Sequence, residues 1–316
     1  MDNQLHVSSS PHFKSRNSTR RIMLDVIIAL IPAAVAACVI FGMRSLMLTA
    51  VCIATCVLLE YVSRKVMKRD TTIGDLSAVV TGLLLALNLP VDINPLIAMF
   101  GCLIAIVVVK QMFGGIGMNF VNPALAARIV LLVSFPSAMM HWVSVPGAPA
   151  AAAIDATTSA TPLAADPGVY SYIDLLLGRC GGSIGEVCAV ALILGGIYLV
   201  IRKVISPIIP CVYLGTAALM SLVVGADPLY QLLSGGLLLG AIFMATDYTT
   251  SPLTKWGKVI YAVGCGVLTI LLRSFSNMPE GVSFSILLMN ILVPLIEHAT
   301  VPRTLGFVKK AKEAKK

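Results

Sequence analysis

The sequence predicts an all-α integral membrane protein with about ten transmembrane helices in two inverted repeats of five helices. Hydrophobic residues make up 58% of the 316 residues and charged residues only 12%, whereas a soluble domain is about half apolar and about a quarter charged. The mean hydropathy is correspondingly high, at +0.92. Ten apolar segments are candidate spans, and two of them share a sequence pattern about half a chain apart. These observations define the predicted fold class.

The composition also excludes several classes of protein. It does not suit a soluble enzyme, a disordered chain or a nucleic-acid-binding domain. The 8 cysteines are too sparse for a secreted disulfide scaffold, and neither they nor the 4 histidines show the spacing of a metal site. The formal net charge of +8 is then explained by basic residues in cytoplasmic loops beside the lipid bilayer.

The candidate spans fall into two groups of five. A polar segment, 1–21, precedes the first group, which occupies 22–135, and the second group occupies 184–300 and is followed by a basic tail, 301–316. The first span follows basic residues as in a signal peptide, but it is long and contains Pro32, so we expect an uncleaved helix. The ten segments are 22–41, 46–62, 76–89, 96–111, 122–135, 184–201, 204–224, 229–246, 258–273 and 283–300.

Basic residues indicate which way the spans run. When the connections are assigned alternately to the two sides, 19 of the 23 Lys and Arg residues, Lys110 among them, fall on one side, three fall on the other, and Arg128 lies within a span. Because basic residues favour the cytoplasmic side, we predict a multi-pass protein of the cell (inner) membrane with both termini in the cytoplasm. The longest connection, 136–183, is then extracytoplasmic. Glu60, near a basic end of a span, is expected to be an anchor at that end.

A weak internal repeat relates the third span to the eighth. The sequence TGLLLA at 81–86 parallels GGLLLG at 235–240, and both spans end in polar, proline-containing sequence, at 88–90 and 247–252. With five spans in each half, the two halves must be inverted relative to each other. Inverted repeats with short or broken helices are typical of transporters, in which the functional site lies near the middle of the membrane.

The stretch 155–161 of the long connection is rich in hydroxyl groups. Asp155, Thr158, Ser159 and Thr161 lie there, just before Pro162. Such sequences are ordinary in loops. One carboxylate among several hydroxyl groups on the outer face also suits a covalent modification or ion binding, and the residues alone do not choose between these interpretations.

The same stretch and the wider chain resemble a known family. The recognition motif of a flavin transferase is Asp-x-x-Ser/Thr-Gly-Ala-Thr, and 155–161 departs from it only at Ser159, where Gly is usual. The chain resembles the NqrB/RnfD family of flavin-bearing membrane proteins, which belong to the sodium-pumping NADH:quinone reductase and to the Rnf electron transport complex. The stretches 113–124, 182–186 and 243–247 carry this resemblance, and the short N-terminal segment favours the Rnf members.

The resemblance implies a function in electron transfer. A family member would carry FMN linked through its phosphate to Thr161, with Asp155, Thr158, Ser159 and Ala160 recognised by the flavin transferase. A second, noncovalent flavin such as riboflavin could lie within the bundle. The partners would be the other subunits of a complex that couples ferredoxin:NAD⁺ oxidoreduction to Na⁺ or H⁺ translocation. The chain shows no catalytic constellation of its own, so electrons would arrive from these partners and return to them.

Four polar residues in or beside the apolar segments are candidates for the lining of a cavity or an ion path: Asn119, Asn122, Arg128 and Asp247. Polar groups at membrane depth need buried partners or a lined cavity. Alternatively, Arg128 extends towards the interface, and Asp247, like Glu186, is a solvated or helix-capping carboxylate near the end of a span. The sequence leaves both alternatives open.

A function of a different class is also compatible with the spans. A flavin-free solute or ion channel, or a transporter, could be built on the same inverted repeat. The stretch 155–161 distinguishes the two hypotheses, because a simple channel has no need of a flavin attachment motif.

Overall fold

The computed structural model describes residues 18–143, 161–163, 170–186, 188–276 and 281–302. Within these ranges the chain is all-helical and contains no β-sheet. The predicted all-α fold class is therefore confirmed. The segments 1–17 and 303–316, which the sequence assigns to the cytoplasm, lie outside the described residues, as does most of 136–183.

The helices are labelled here in chain order. The first half contains α1 (Thr19–Phe41), α2 (Met43–Val66), α3 (Ser77–Leu87), α4 (Pro95–Leu103), which continues into a π-helical segment (Ile104–Gln111), and α5 (Pro123–Ser134). Two short helices follow, α6 (Pro136–Met139) and α7 (Tyr172–Leu177). The second half contains α8 (Ala189–Ile201), α9 (Ile208–Val224), α10 (Pro228–Leu233), α11 (Leu237–Leu239), which continues into a π-helical segment (Gly240–Met244), α12 (Lys255–Phe275) and α13 (Gly281–Thr300).

Only some of these helices are long enough to cross a bilayer by themselves. In the described part of the chain, four helices have the required length and apolar character, namely α1, α2, α12 and α13. Five shorter apolar helices have 10–17 residues: α3, α4 with its π-helical segment, α5, α8 and α9. The chain thus combines long apolar helices with short ones.

The predicted eighth span, 229–246, is not a continuous helix. Helix α10 ends at Leu233, and α11 begins only at Leu237. Between them Gly235 adopts a positive φ of 63°, a conformation that glycine adopts at low cost and that ends a helix. The apolar run therefore consists of two short helices. The segment was assigned as one span because leucines flank the break on both sides, although Ser234, Gly235 and Gly236 are typical of turns.

Several helices begin with the same local signal. Asn94, Asn122 and Asp227 each precede a proline that occupies the first helical turn, and each side chain accepts a hydrogen bond from a backbone N–H of that turn. The carboxamide or carboxylate satisfies a donor that the helix leaves unpaired, and proline has no N–H to satisfy at that position. Asn122 consequently fixes where α5 starts, and α5 carries Arg128.

Small residues let the helices pack closely. Helix α1 packs against α8, α2 against α3 and α4, α12 against α9 and α13, and α5 against α13. At Gly82 of α3, an added Cβ would lie 2.9 Å from the Ile53 Cα of α2. At Gly195 of α8, it would clash with the Ala29 carbonyl oxygen of α1. Such glycine contacts are typical of helix pairs in membranes.

We predict that Gly195→Ala destabilises the protein, whereas Gly215→Ala does not. The first substitution places a methyl group against the α1 backbone, and overpacking of this kind costs about 1–3 kcal/mol. At Gly215, within α9, no described atom beyond the adjacent backbone of the same helix lies within 4 Å of an added Cβ. Thermal unfolding of the two variants in detergent tests this. Equal melting temperatures would show that α1 and α8 do not pack through Gly195.

Candidate functional site

A buried ion pair lies at the centre of the described helices. Arg128 of α5 donates through Nη2 to Glu186 Oε1 at 2.8 Å, and the two side chains are only 3% and 7% exposed. Arg128 Nη1 donates to Asn88 Oδ1 at the end of α3. The alternative in which Arg128 extends to the interface is therefore wrong. The alternative in which Glu186 is a solvated or capping carboxylate is also wrong, because Glu186 is the partner of Arg128.

The segment that carries Glu186 packs on the C-terminal end of α3. The backbone N–H of Ile184 donates to Leu89 O at 3.0 Å, and that of Gly185 donates to Leu87 O at 2.7 Å. The last carbonyls of a helix lack partners within the helix, so this segment satisfies two acceptors at or just beyond the end of α3. Gly185 is needed for the approach, since an added Cβ would lie 2.6 Å from Leu87 Cβ.

Side-chain amides join the ends of three elements. Asn88 Nδ2 donates to Leu84 O at 2.6 Å and contacts Met244 Sδ at 3.8 Å. Asn122 Nδ2 donates to Met244 O at 3.4 Å. The end of α3, the start of α5 and the end of the π-helical segment after α11 therefore meet at one point. The two segments related by the sequence repeat end beside each other here.

A cavity of about 120 Å³ lies next to this point. Its walls are largely apolar, and the polar residues of the lining are Ser77, Thr81, Lys110, Asn119, Asn122, Thr246, Asp247, Tyr248 and Thr249. Asn119 Nδ2 donates to Val121 O at 3.1 Å. The structure thus brings three of the four predicted polar residues, Asn119, Asn122 and Asp247, to one cavity, and Arg128 does not line it.

Asp247 lies in the connection between the π-helical segment after α11 and helix α12. Burial raises the pKa of its carboxyl group, and hydrogen bonds from Thr249 and Thr250 oppose this shift. Thr249 Oγ1 donates to Asp247 Oδ2 at 3.0 Å and Thr250 Oγ1 at 3.3 Å. The side chain therefore faces a cavity and is held by neighbouring hydroxyl groups.

A second buried ion pair was missed by the sequence analysis. Lys110 Nζ lies 3.1 Å from Glu60 Oε2 and donates to Ser77 Oγ at 2.7 Å. Their side chains are 4% and 1% exposed. Glu60 is therefore not an exposed anchor at the end of a span, as the sequence suggested, but the buried partner of Lys110. The sequence offered no signal for the pair, because the two residues are 50 positions apart.

A smaller cavity, of about 20 Å³, contains the predicted attachment residue. Its lining includes Thr161, Arg128, Glu186, Arg273 and Ser283. Thr161 is 8% exposed, and its Oγ1 atom has no hydrogen-bond partner among the described residues. The other predicted motif residues, Asp155, Thr158, Ser159 and Ala160, lie outside the described part of the chain.

Three of the buried cysteines lie on helices α2 and α4. Within the described ranges, no three His, Cys, Asp or Glu side chains are placed to hold a metal ion. Cys52 and Cys56 of α2 and Cys102 of α4 are buried free thiols, and Cys102 Sγ donates to Cys52 O at 3.6 Å. They act as small packing residues between α2 and α4.

Comparison with known proteins shows similarity along nearly the whole chain. A sequence profile of the NQR2, RnfD, RnfE family matches residues 6–306. The chain is 48% identical to the D subunit of the Na⁺-translocating ferredoxin:NAD⁺ oxidoreductase complex of Acetobacterium woodii, over 98% of each chain. It is 41% identical to the D subunit of the proton-translocating ferredoxin:NAD⁺ oxidoreductase complex of Clostridium ljungdahlii, over 95% of this chain and 96% of the relative. It is 37% identical to the D subunit of the ion-translocating oxidoreductase complex of Stutzerimonas stutzeri, over 92% and 93%.

We predict that Arg128→Gln destabilises the protein by about 3–5 kcal/mol, because Glu186 is left buried without its partner. The double variant Arg128→Gln with Glu186→Gln should be more stable than Arg128→Gln alone. The control is Arg44→Gln, which removes an exposed pair with Asp92 and should cost at most about 1 kcal/mol. Thermal unfolding of the wild type, Arg128→Gln, Glu186→Gln, the double variant and Arg44→Gln in detergent measures these differences. Additive effects of the two substitutions would contradict the pairing.

Proposed function

The chain belongs to the NQR2, RnfD, RnfE family, and we propose that it is the flavin-carrying membrane subunit of an ion-translocating ferredoxin:NAD⁺ oxidoreductase complex, equivalent to the D subunits of its relatives. The observation that carries this proposal is the buried Thr161 hydroxyl group, which has no partner among the described residues and lies beside two guanidinium groups. The names of relatives at 48% and 41% identity support it. Its partners would be the other subunits of that complex.

Thr161 would carry FMN through a phosphoester bond, formed when a flavin transferase moves FMN from a flavin dinucleotide to the Thr161 hydroxyl group and releases the nucleoside monophosphate. The surroundings of its hydroxyl group fit a phosphate, because Arg128 and Arg273 line the same small cavity and guanidinium groups are suited to phosphate oxygens. The bound flavin would supply reversible electron transfer. The chain itself would hold the phosphate, shield it from water and place the flavin among partner subunits, without catalysing a reaction alone.

A second, noncovalent flavin such as riboflavin would fit the larger cavity best. That cavity combines apolar walls with polar groups from Asn119, Asp247 and Lys110, as sites for flat organic ligands commonly do. The amide of Asn122 is already used to start α5 and to hold Met244. Asn119 and Asp247 are therefore the residues best placed to contact a ligand.

The proposed arrangement of the helices is two inverted halves with both termini in the cytoplasm of the producing cell. Two contacts support it, since the first helices of the halves, α1 and α8, pack together, as do the last, α5 and α13. The short helix α3 and the interrupted segment α10–α11 take equivalent places in the chain. In this arrangement Thr161 lies on the extracytoplasmic side of the cell membrane. A flavin-free transporter would give the Thr161 hydroxyl group no role.

We expect Thr161→Ala to abolish covalent flavin, because it removes the oxygen that forms the ester. Thr161→Ser, which keeps a hydroxyl group, should retain it. Each variant is produced together with a flavin transferase, denatured and viewed under ultraviolet light on a gel, where covalent flavin fluoresces. Equal fluorescence of the wild type and Thr161→Ala would place the flavin elsewhere.

Asp247→Asn should impair ion-coupled electron transfer several-fold and leave the flavin at Thr161 unchanged, because Asp247 lines the larger cavity and Thr161 the smaller one. Ferredoxin-dependent NAD⁺ reduction and ion uptake are measured together in vesicles. Asp92→Asn, in an exposed ion pair, is the matched control. Wild-type rates in Asp247→Asn would show that this carboxylate is only structural.

A further inference from the structure

The small cavity around Thr161 encloses an unusual number of unsatisfied polar atoms. Thr161 Oγ1, Ser283 Oγ and Arg273 Nε are all buried and have no hydrogen-bond partner among the described residues, and all three residues line this cavity. A buried polar group without a partner costs about 1–3 kcal/mol. Three of them around one space indicate that a polar ligand completes the site.

The charges that line the cavity indicate the sign of that ligand. Among the described residues that line the cavity, Arg128 and Arg273 are positive and Glu186 is the single carboxylate. Glu186 is bound to Arg128 at 2.8 Å. Within the described chain, Arg273 donates only to neutral oxygens, namely Gln231 O at 2.7 Å, Gln231 Oε1 at 3.1 Å and Ser234 O at 3.0 Å. The described residues therefore leave one excess positive charge, and a single monoanion would neutralise it in this low-dielectric setting.

The same helix holds Arg273 and the segment of Thr161 in place. Tyr230 of α10 donates through Oη to Pro162 O at 2.7 Å, while the α10 residue Gln231 accepts from Arg273. Gly235, after α10, lies between the two, because an added Cβ would be 2.9 Å from Leu163 Cδ1 and 3.1 Å from Arg273 Nη2. The hydroxyl group and the guanidinium group are thus fixed relative to each other by α10 and the break that follows it.

The volume of the cavity limits what can enter it. About 10–15 Å³ of such volume holds one water molecule, so the 20 Å³ found here accommodates one or two water-sized groups. The oxygen atoms of a phosphate are of this size, and a flavin ring is far larger. The ring of a flavin esterified to Thr161 would therefore lie outside the cavity.

We infer that Arg273 is the positioning residue for the phosphodiester that links the flavin to Thr161. It holds this phosphodiester through Nε and through the Nη2 proton that no described residue accepts. This inference rests on the proposed function and adds the residue that neutralises the phosphate. Ser283 Oγ donates a further hydrogen bond to the phosphodiester. Arg128 keeps its hydrogen bonds to Glu186 and Asn88. The phosphodiester carries the one negative charge that the cavity lacks.

Phosphorus NMR of the full chain tests the inference directly. The chain is produced with a flavin transferase and purified in a phosphorus-free detergent, and the diester resonance is assigned by its loss in Thr161→Ala. In the native wild type, we expect a chemical shift different from that of the denatured chain, and protection from broadening by a water-soluble paramagnetic chelate. In Arg273→Gln the resonance should move towards the denatured position and lose protection, although in-gel fluorescence still shows the flavin.

Two further variants separate a specific role from a general effect. Arg273→Lys, which keeps the charge without the planar fork, should give an intermediate shift. Arg44→Gln, which removes an exposed charge, should leave the wild-type spectrum unchanged. Arg273→Gln with the native wild-type resonance would overturn the inference.

If Arg273→Gln does not fold, the wild-type spectrum alone tests the inference. Identical native and denatured shifts, together with broadening by the chelate, would show a solvated phosphate and would also overturn the inference. Absence of any flavin from wild-type Thr161 would instead contradict the proposed function. The two failures are therefore distinguishable.

Discussion

The buried ion pair between Arg128 and Glu186 holds the middle of the fold together, because it ties two short helices to the segment before α8. Removing two charges from water costs several kcal/mol for each ion, so neither side chain can be buried here unless both are held by further bonds. Arg128 is held by Glu186 and Asn88. Glu186 is placed by the backbone bonds of Ile184 and Gly185 to the end of α3. The pair thereby fixes α3, α5 and the segment before α8 relative to one another.

From this pair a chain of polar contacts leads from one cavity to the other. Arg128 lines the smaller cavity and binds Asn88, Asn88 contacts Met244 Sδ, and Met244 O accepts from Asn122, which lines the larger cavity. Short helices end at this point, and their freed backbone groups are satisfied by side-chain amides and by neighbouring backbone. Such partners are required, because irregular backbone is stable inside an apolar protein only when its N–H and C=O groups are hydrogen-bonded. The two proposed flavin sites would lie at opposite ends of this series of contacts.

Local chemistry explains how much of this was predictable from the sequence. The start of α5 follows from Asn122 and Pro123, because an amide cap and a proline act within one turn. The polar character of 119–122 and 247 indicated a cavity lining. The break at Gly235 carries a turn signal in Ser234, Gly235 and Gly236, but the leucines on both sides favoured one continuous span. The partners of Arg128 and Lys110 could not be predicted, because ion pairs between residues 58 and 50 positions apart depend on tertiary packing and leave no periodic signal.

We propose that Thr161 carries a flavin through its phosphate, beside the Arg128–Glu186 pair. Peptide mass spectrometry of the denatured chain, isolated from a host with a flavin transferase, is the decisive experiment. We expect the proteolytic peptide containing 155–161 to bear one FMN group and fragment ions to place it on Thr161. An unmodified peptide, or a flavin on another residue, in a chain produced with an active transferase would show that Thr161 is not the attachment site.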